Sequence, residues 1–361
     1  MNFILITNTC WDEPPRIRHQ LTRLLAENGH KVYFFQRPML FNKATSEASM
    51  CEVEKNIFLL PNKRYFHHRL SISYFNLLDQ WLINRQIEAF LKKNNFKKIE
   101  FVLVNFIYDI SVIIDGFLKK IVILNDDFAA QTAILGVEYK KYSINKNVSN
   151  SGALFATAPF LLEKHGLFTP QNKMLLPWVD KEEIACLSRR ESDSKKTKFL
   201  YFGFVSKRVD WRLVKLLASI YPQYDFVFYG PVCGKIKIVV NEISAKHHNV
   251  IFKNAINFCD IPFSEFYASI TPYRGGKGDE NIYVTNKFFR LAAAGLPSIN
   301  SGLPGFMKHR VIFNCATQQD FINSIKIVVD NFENLSEESK NLSKGHTFLS
   351  TYNDFIRFYN D

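Results

Sequence analysis

Lys287 and Arg290 stand three residues apart in Asn286-Lys287-Phe288-Phe289-Arg290-Leu291-Ala292-Ala293-Ala294-Gly295-Leu296-Pro297. A helix through this stretch sets both cations on one face near its start. The apolar residues are mostly helix formers, and Gly295 with Pro297 supplies a left-handed stop followed by a block. The preceding loop, Tyr273-Arg274-Gly275-Gly276-Lys277-Gly278, adds further cations and backbone freedom. Cations beside the N–H groups of a helix start suit a multiply charged anion such as a phosphate. The same residues also describe an ordinary solvated basic helix end.

Other segments offer matching chemistry. Gly203-Phe204-Val205-Ser206-Lys207-Arg208 joins an apolar run to an amphipathic one, so a ligand can approach the backbone at Gly203 beside two cations. Gly230-Pro231 closes another apolar run. Asp126-Asp127 follows Ile121-Val122-Ile123-Leu124. One of these adjacent carboxylates can serve as a general base while the other raises its pKa, or one can cap a helix. Asp12 and Glu13 are further carboxylates at a helix entry, where His19 is an alternative base and Arg16 and Arg18 can hold an acidic acceptor. His67-His68 and His247-His248 are neighbours that do not share a helix face, so no metal site is expected. No GxGxxG, GxxxxGK[ST] or GxSxG motif is present.

These residues need a scaffold, and the hydrophobic pattern supplies one. Short apolar runs at 3–7, 31–35, 57–60, 101–104, 121–124, 154–157 and 174–176 alternate with helices at 16–28, 74–93 and 159–165. Residues 188–198 are polar and charged, which marks a linker. Strands then resume at 199–203, 225–231, 249–252 and 268–272, with helices at 209–220 and 286–294. The expectation is two doubly wound, Rossmann-like α/β domains facing a cleft, covering 1–187 and 199–345. In such sheets ligands bind at the carboxyl ends of strands, and that is where the residues above fall.

The bulk numbers agree. The chain has 361 residues, 47% hydrophobic and 15% aromatic, with a formal net charge of +12, so anionic partners are expected. The six cysteines are scattered without a CxxC pair, and free thiols in a reducing compartment are expected. No signal peptide or membrane span is apparent, which suggests a cytoplasmic protein with peripheral contact at the inner face of a membrane. Arg64, His67, His68 and Arg69, near Tyr65, Phe66 and Tyr74, can form an anionic-membrane patch or a solvated loop.

The ordered segments resemble the GT-B glycosyltransferases of the group 1/family 4-like kind, of the bacterial surface-polysaccharide type. Tyr201-Phe202-Gly203, Asp210, Tyr221-Pro222 and Asp225 to Pro231 are similar to that family's YxG…D…P…F…GP stretch. Asn249-Val250-Ile251-Phe252, Pro272-Tyr273-Arg274 and Lys287 to Pro297 resemble its NV.F…PY…K.xEyxAaGkP. Gly29-His30-Lys31-Val32, Asn125-Asp126-Asp127-Phe128 and Pro177-Trp178-Val179-Asp180 resemble its GH.V, DDF and PNGVD segments. The last helix, Tyr352 to Tyr359, resembles the tail that crosses back onto the first domain, which implies that 346–361 returns there. Coverage is nearly the whole chain.

The resemblance implies a nucleotide sugar on the second domain and a glycan or lipid-linked acceptor on the first, without a metal or other cofactor. Donor positions would be Gly203, Lys207, Arg208, Gly230, Tyr273, Arg274, Asn286, Lys287 and Arg290. Acceptor positions would be Arg16, Arg18 and His19, and the base Asp127 or Asp126, with Asp12 and Glu13 behind them. The chain departs from the family at Arg290, where a Glu usually grips the nucleotide ribose. The other Glu of the E-x7-E pattern would fall at Ile282. A guanidinium accepts no hydrogen bond, so Arg290 would instead meet a phosphate or an acidic sugar. Alternatives are an epimerase or hydrolase of the same architecture, an inactive transferase, and a basic nucleic-acid-binding protein, although no nucleic-acid module is recognisable.

Overall fold

The computed structural model describes the chain apart from Pro14, Pro38, residues 41–49, 65–72, 130–136, 190–194 and 277–278, and Asp361. Lys277 and Gly278 of the glycine-rich loop, and Tyr65, Phe66, His67, His68 and Arg69 of the basic patch, lie outside the described residues. The chain divides into two compact units, Met1–Leu176 with Tyr352–Asp361, and Pro177–Thr351.

The first unit runs β1 (Asn2–Ile6), α1 (Ile17–Glu27), β2 (Lys31–Phe35), β3 (Met39–Leu40), β4 (Cys51–Glu54), β5 (Ile57–Leu60), β6 (Lys63–Arg64), α2 (Ser73–Lys93), β7 (Phe101–Asn105), β8 (Lys119–Leu124), α3 (Val137–Ser149), β9 (Ala153–Ala156), α4 (Pro159–His165) and β10 (Gln171–Met174). Eight strands form one sheet in the order β10-β9-β8-β7-β1-β2-β5-β4, while β3 and β6 pair separately. Only β4 runs antiparallel in the large sheet. The central strand β7 is buried along its whole length and β1 from Phe3 to Ile6, as covering both faces of a parallel sheet with helices requires. The last strand ends where the apolar run 174–176 begins. Its residues Gln171, Asn172 and Lys173 suit an exposed edge, so hydrophobicity alone misplaces it.

The second unit runs α5 (Lys181–Ser188), β11 (Lys198–Phe202), α6 (Trp211–Ile220), β12 (Asp225–Tyr229), α7 (Lys237–Lys246), β13 (Val250–Lys253), β14 (Phe266–Pro272), α8 (Phe288–Ala293), β15 (Ser298–Ser301), β16 (Ile312–Cys315), α9 (Gln318–Asp330), α10 (Phe332–Lys344) and the start of α11 (Phe348–Asn360). Its six strands are all parallel, in the order β13-β12-β11-β14-β15-β16. Numbered within the unit this is 3-2-1-4-5-6, the doubly wound order whose direction reverses between β11 and β14. Alternate residues feed opposite cores. Phe199, Tyr201, Phe226 and Phe228 face one, and Leu200, Val227 and Tyr229 face the other.

Two further features differ from the sequence expectation. The division at 176/177 falls ahead of the 188–198 segment, because α5 is fastened to the second unit through Glu183 and Cys186. Cys186 and Cys259 form a disulfide, which corrects the expectation of six free thiols. Their sequence separation is 73, so only the packing of α5 against the turn at Phe258–Asp260 reveals the pair. The end of the chain belongs to the first unit, where Tyr352 Oη lies 2.8 Å from His30 Nε2 and the Phe355 ring packs on Phe3 and Phe155.

Candidate functional site

In the second unit the strand order reverses between β11 and β14, and Gly203 ends β11 there. The Gly203 N–H donates to Tyr229 O at 2.9 Å, and Tyr201 Oη donates to Phe204 O at 2.7 Å. Gly230, at φ +149°, ends β12 so close that a β-carbon on it would lie 2.0 Å from Gly203 O. The two loops are therefore locked backbone to backbone.

Lys287 enters this corner from the start of α8. Its Nζ donates to Phe202 O at 2.5 Å and lies 4.5 Å from the Tyr201 ring centre. The residue as a whole is half-buried, but its ammonium is enclosed. Burial, aided by the charge of Arg208, lowers its pKa to about 7. The guanidinium of Arg208 sits 4.8 Å over the Tyr273 ring and pairs with Asp279. Lys207, Arg274 and Asn286 are exposed around it. An enclosed cation with its pKa lowered to about 7, with further cations beside it, has the charge that would suit a polyanion.

Arg290 takes no part in that cation cluster. Its Nη2 pairs with Glu183 Oε1, and its guanidinium lies 4.6 Å from the Phe258 ring centre. The other Glu183 oxygen accepts from Asp180 N at 3.2 Å, closing the capping box of α5. Burial raises the Glu183 carboxyl even though Arg290 opposes the shift. Gly295 adopts φ +77° after α8, as its position in the sequence requires.

The first unit reverses its strand order between β1 and β7, and a buried polar network fills that corner. Arg64 pairs with Asp109 and donates to Asn8 Oδ1 at 3.1 Å, while Asn8 Nδ2 donates to the other Asp109 oxygen at 2.8 Å. Burial by itself would raise the Asp109 carboxyl, but the guanidinium beside it outweighs burial and holds it below the usual range. Among the described residues Arg18, on α1, donates to neutral oxygens: Thr7 Oγ1 at 3.0 Å, Thr9 Oγ1 at 2.5 Å and Asn125 Oδ1 at 3.3 Å. It is 4% exposed, and burial together with the charge of Arg16 lowers its pKa to about 10. Among the described residues its Nε has no hydrogen-bond partner.

Most of the other predicted residues of this unit are engaged. Glu13 pairs with Arg16 at 3.2 Å and with Arg37, whereas Asp12 is exposed. Asp127 is buried, and Lys164 Nζ reaches both its oxygens, at 3.1 and 3.2 Å. Asp126 Oδ1 accepts from Asp127 N at 2.9 Å. His19 Nδ1 accepts from Arg16 N, so Nε2 carries the proton donated to Cys10 O at 3.0 Å. Burial lowers the His19 pKa, which keeps the ring neutral.

Sequence reading placed Asn8 and Asp109 only within strand-end segments and passed over Tyr201, Phe258 and Glu183 as site residues. It set Arg64 in an anionic-membrane patch or a solvated loop, and the structure corrects both, because the side chain is buried against Asp109 and faces neither a membrane nor solvent. Glu183 carries one local signal, its spacing from Asp180, and that signal describes the cap rather than the pairing. Among the described residues no group of three His, Cys, Asp or Glu side chains is arranged to hold a metal, and no helix is long and apolar enough to cross a membrane.

No protein-family model matches the sequence, and no curated protein matches it either. Solved structures do resemble its fold. WaaG, a glycosyltransferase involved in lipopolysaccharide biosynthesis, is 11% identical over 97% of both chains, with a TM-score of 0.63. HepE (Alr3699) of Anabaena, in complex with UDP, is 10% identical over 100% of both chains, with a TM-score of 0.64. The UDP-forming α,α-trehalose-phosphate synthase of Burkholderia vietnamiensis is 9% identical over 99% of this chain and 96% of its own, with a TM-score of 0.65. The likeness establishes the fold as GT-B, with two Rossmann-like domains.

Proposed function

We propose that the protein is a metal-independent glycosyltransferase. It moves a sugar from a nucleotide-sugar donor to a glycan or lipid-linked glycan acceptor in cell-surface polysaccharide synthesis. The observation that carries this reading is the enclosed ammonium of Lys287 at the strand reversal of the second unit. Burial holds it near neutrality, and the charged group acting on it is another cation, Arg208. A diphosphate would supply the missing negative charge. The glycosyltransferases and UDP complex among the structural neighbours support the same choice of ligand.

In this reading the donor diphosphate lies against Gly203 and Lys287, with Lys207, Arg208 and Arg274 around it. When the sugar–phosphate bond breaks, negative charge grows on the departing diphosphate, and Lys287 stabilises it most because its ammonium is already desolvated. The first unit takes the acceptor. Arg18 and Arg16 hold an acidic group on it, and Asp127, beside Asp126, accepts the proton of the attacking hydroxyl once Lys164 gives way. The protein works in the cytoplasm, where its basic balance favours contact with an anionic membrane face.

A thermal-shift panel of nucleotides and nucleotide sugars, CMP-linked acidic sugars included, tests the proposal. A bound donor present at a hundredfold excess over its dissociation constant stabilises by about 2.7 kcal/mol, a rise of several degrees. If no nucleotide raises the melting temperature, the reading fails.

A further inference from the structure

The Cys186–Cys259 disulfide joins the two segments that hold Arg290. On α5, Glu183 and Cys186 are three residues apart and share a helix face, and the Glu183 carboxylate pairs with Arg290. Across the bridge, Cys259 follows Phe258, whose ring lies 4.6 Å beneath the same guanidinium. Arg290 belongs to α8, the helix whose N-cap is Lys287. A closed loop of contacts thus runs from one sulfur through Glu183, Arg290 and Phe258 to the other sulfur. Both sulfur-bearing residues are half-buried against the core of this unit, whereas Cys315 is buried.

We propose that this cysteine pair is a redox clasp on the anion site of the second unit. In the oxidised state α5 is fastened to the Phe258–Asp260 turn, Arg290 is gripped from both sides, and α8 presents Lys287 in one position. In the reduced state α5, only eight residues long, keeps its place through Glu183 and weak apolar packing, and α8 gains freedom.

The exchange partner is a low-molecular-weight thiol/disulfide couple. One cysteine thiolate attacks a sulfur of the small disulfide and expels a thiolate. The second cysteine thiolate attacks the resulting mixed disulfide at the protein sulfur and expels the other. Two electrons pass to the small disulfide, the two cysteine protons end on the released thiols, and the reverse sequence reduces the protein. A pre-ordered site binds more tightly because less freedom is lost on binding. The effect on donor binding rests on the transferase reading, but the clasp itself does not.

The test uses the full chain, equilibrated with oxidised glutathione or with dithiothreitol. Alkylation under denaturing conditions followed by mass analysis counts the thiols, calorimetry measures UDP affinity, and hydrogen exchange follows the amides of residues 288–293. The oxidised protein should have two fewer alkylated cysteines, bind UDP about fivefold or more tightly, and exchange the α8 amides more slowly. A Cys186→Ser/Cys259→Ser variant should match the reduced protein in both buffers. An equal thiol count in the two states overturns the proposal. So does a disulfide that forms while α8 exchange stays the same. If UDP and other nucleoside diphosphates bind neither state, the donor reading fails, and the exchange data decide the clasp independently.

Discussion

A β-carbon on Gly230 would lie 2.0 Å from the carbonyl oxygen of Gly203. These glycines end neighbouring strands, and the corner they make is where Lys287 places its ammonium. Gly230→Ala must therefore push the Gly203 loop out of place as well as adopt a backbone angle that L side chains resist. It should cost about 3 kcal/mol, or roughly 5–10 °C in melting temperature, and abolish nucleotide binding. Gly29→Ala is the control. It also has a positive φ, but no atom within 4 Å of the added carbon, so its cost should be about 1 kcal/mol. Equal losses in the two variants would mean that the close approach has no structural weight.

Arg290 and Glu183 should behave as one unit. Arg290→Met strands a buried carboxylate and should cost about 3–5 kcal/mol at pH 8. The Glu183 carboxyl, already raised by burial, rises further in that variant. An acid with a raised folded-state pKa penalises the fold when ionised, and the penalty fades as pH falls through that pKa. The gap between wild type and Arg290→Met should narrow between pH 8 and pH 5.5, and Glu183→Gln should restore most of the loss at pH 8. Denaturant titrations of both single variants and the pair give the answer, and simple additivity would remove the coupling. Testing an acid at position 290 needs the same care, because Arg290→Glu alone sets two carboxylates together.

What was legible in the chain follows the range of the forces involved. The alternation of apolar runs with amphipathic helices is local, and it foretells two doubly wound sheets. The rule that ligands sit at strand ends then picks out Gly203 and Lys287 unaided. β15 (Ser-Ile-Asn-Ser) and β16 (Ile-Phe-Asn-Cys) escape because polar residues interrupt them, although Ser298 and Asn300 are buried. The environment of Arg290 was not legible either. Its carboxylate comes from a helix on the far side of the 188–198 segment, where the capping pattern already accounts for Glu183. Arg64 and Asp109 belong to segments that only the folded sheet brings together, and so do Cys186 and Cys259.

Lys287 should make nucleotide binding depend on pH. Its free amine titrates at about 7, so at pH 8 most molecules must take up a proton to meet a diphosphate. UDP affinity should therefore fall as pH rises from 7 to 9, a range above the phosphate's own titration near pH 6. Calorimetry at pH 8 in buffers of different ionisation enthalpy should detect net proton uptake. The stability trend runs the other way. The unfolded amine keeps its proton to about pH 10.4 while the folded one loses it, so stability gains from this group as pH rises above 7. Lys287→Met should weaken UDP binding and erase its pH dependence over this range. A variant that binds UDP like wild type would remove Lys287 from the anion site.

Arg18 and Arg64 are both buried guanidiniums in one network, yet they should respond oppositely to removal. Arg64→Met would strand Asp109, a carboxylate that the guanidinium holds ionised against burial, and should cost about 3–5 kcal/mol. Among the described residues Arg18 donates to hydroxyl and amide oxygens and lies 5.5 Å from the Phe106 ring centre, and burial drives its pKa down to about 10. Arg18→Met forfeits those hydrogen bonds but relieves the desolvation of a cation that pairs with no carboxylate among the described residues. Its net effect should stay within about 1 kcal/mol of zero. A fold that retains such a cation without gaining stability keeps it for a ligand, as the trade between stability and activity would have it. With an acidic acceptor, Arg18→Met should raise the acceptor KM by tenfold or more and leave UDP affinity unchanged. If it costs as much stability as Arg64→Met, Arg18 is a structural cation and the acceptor's acidic group must be bound elsewhere.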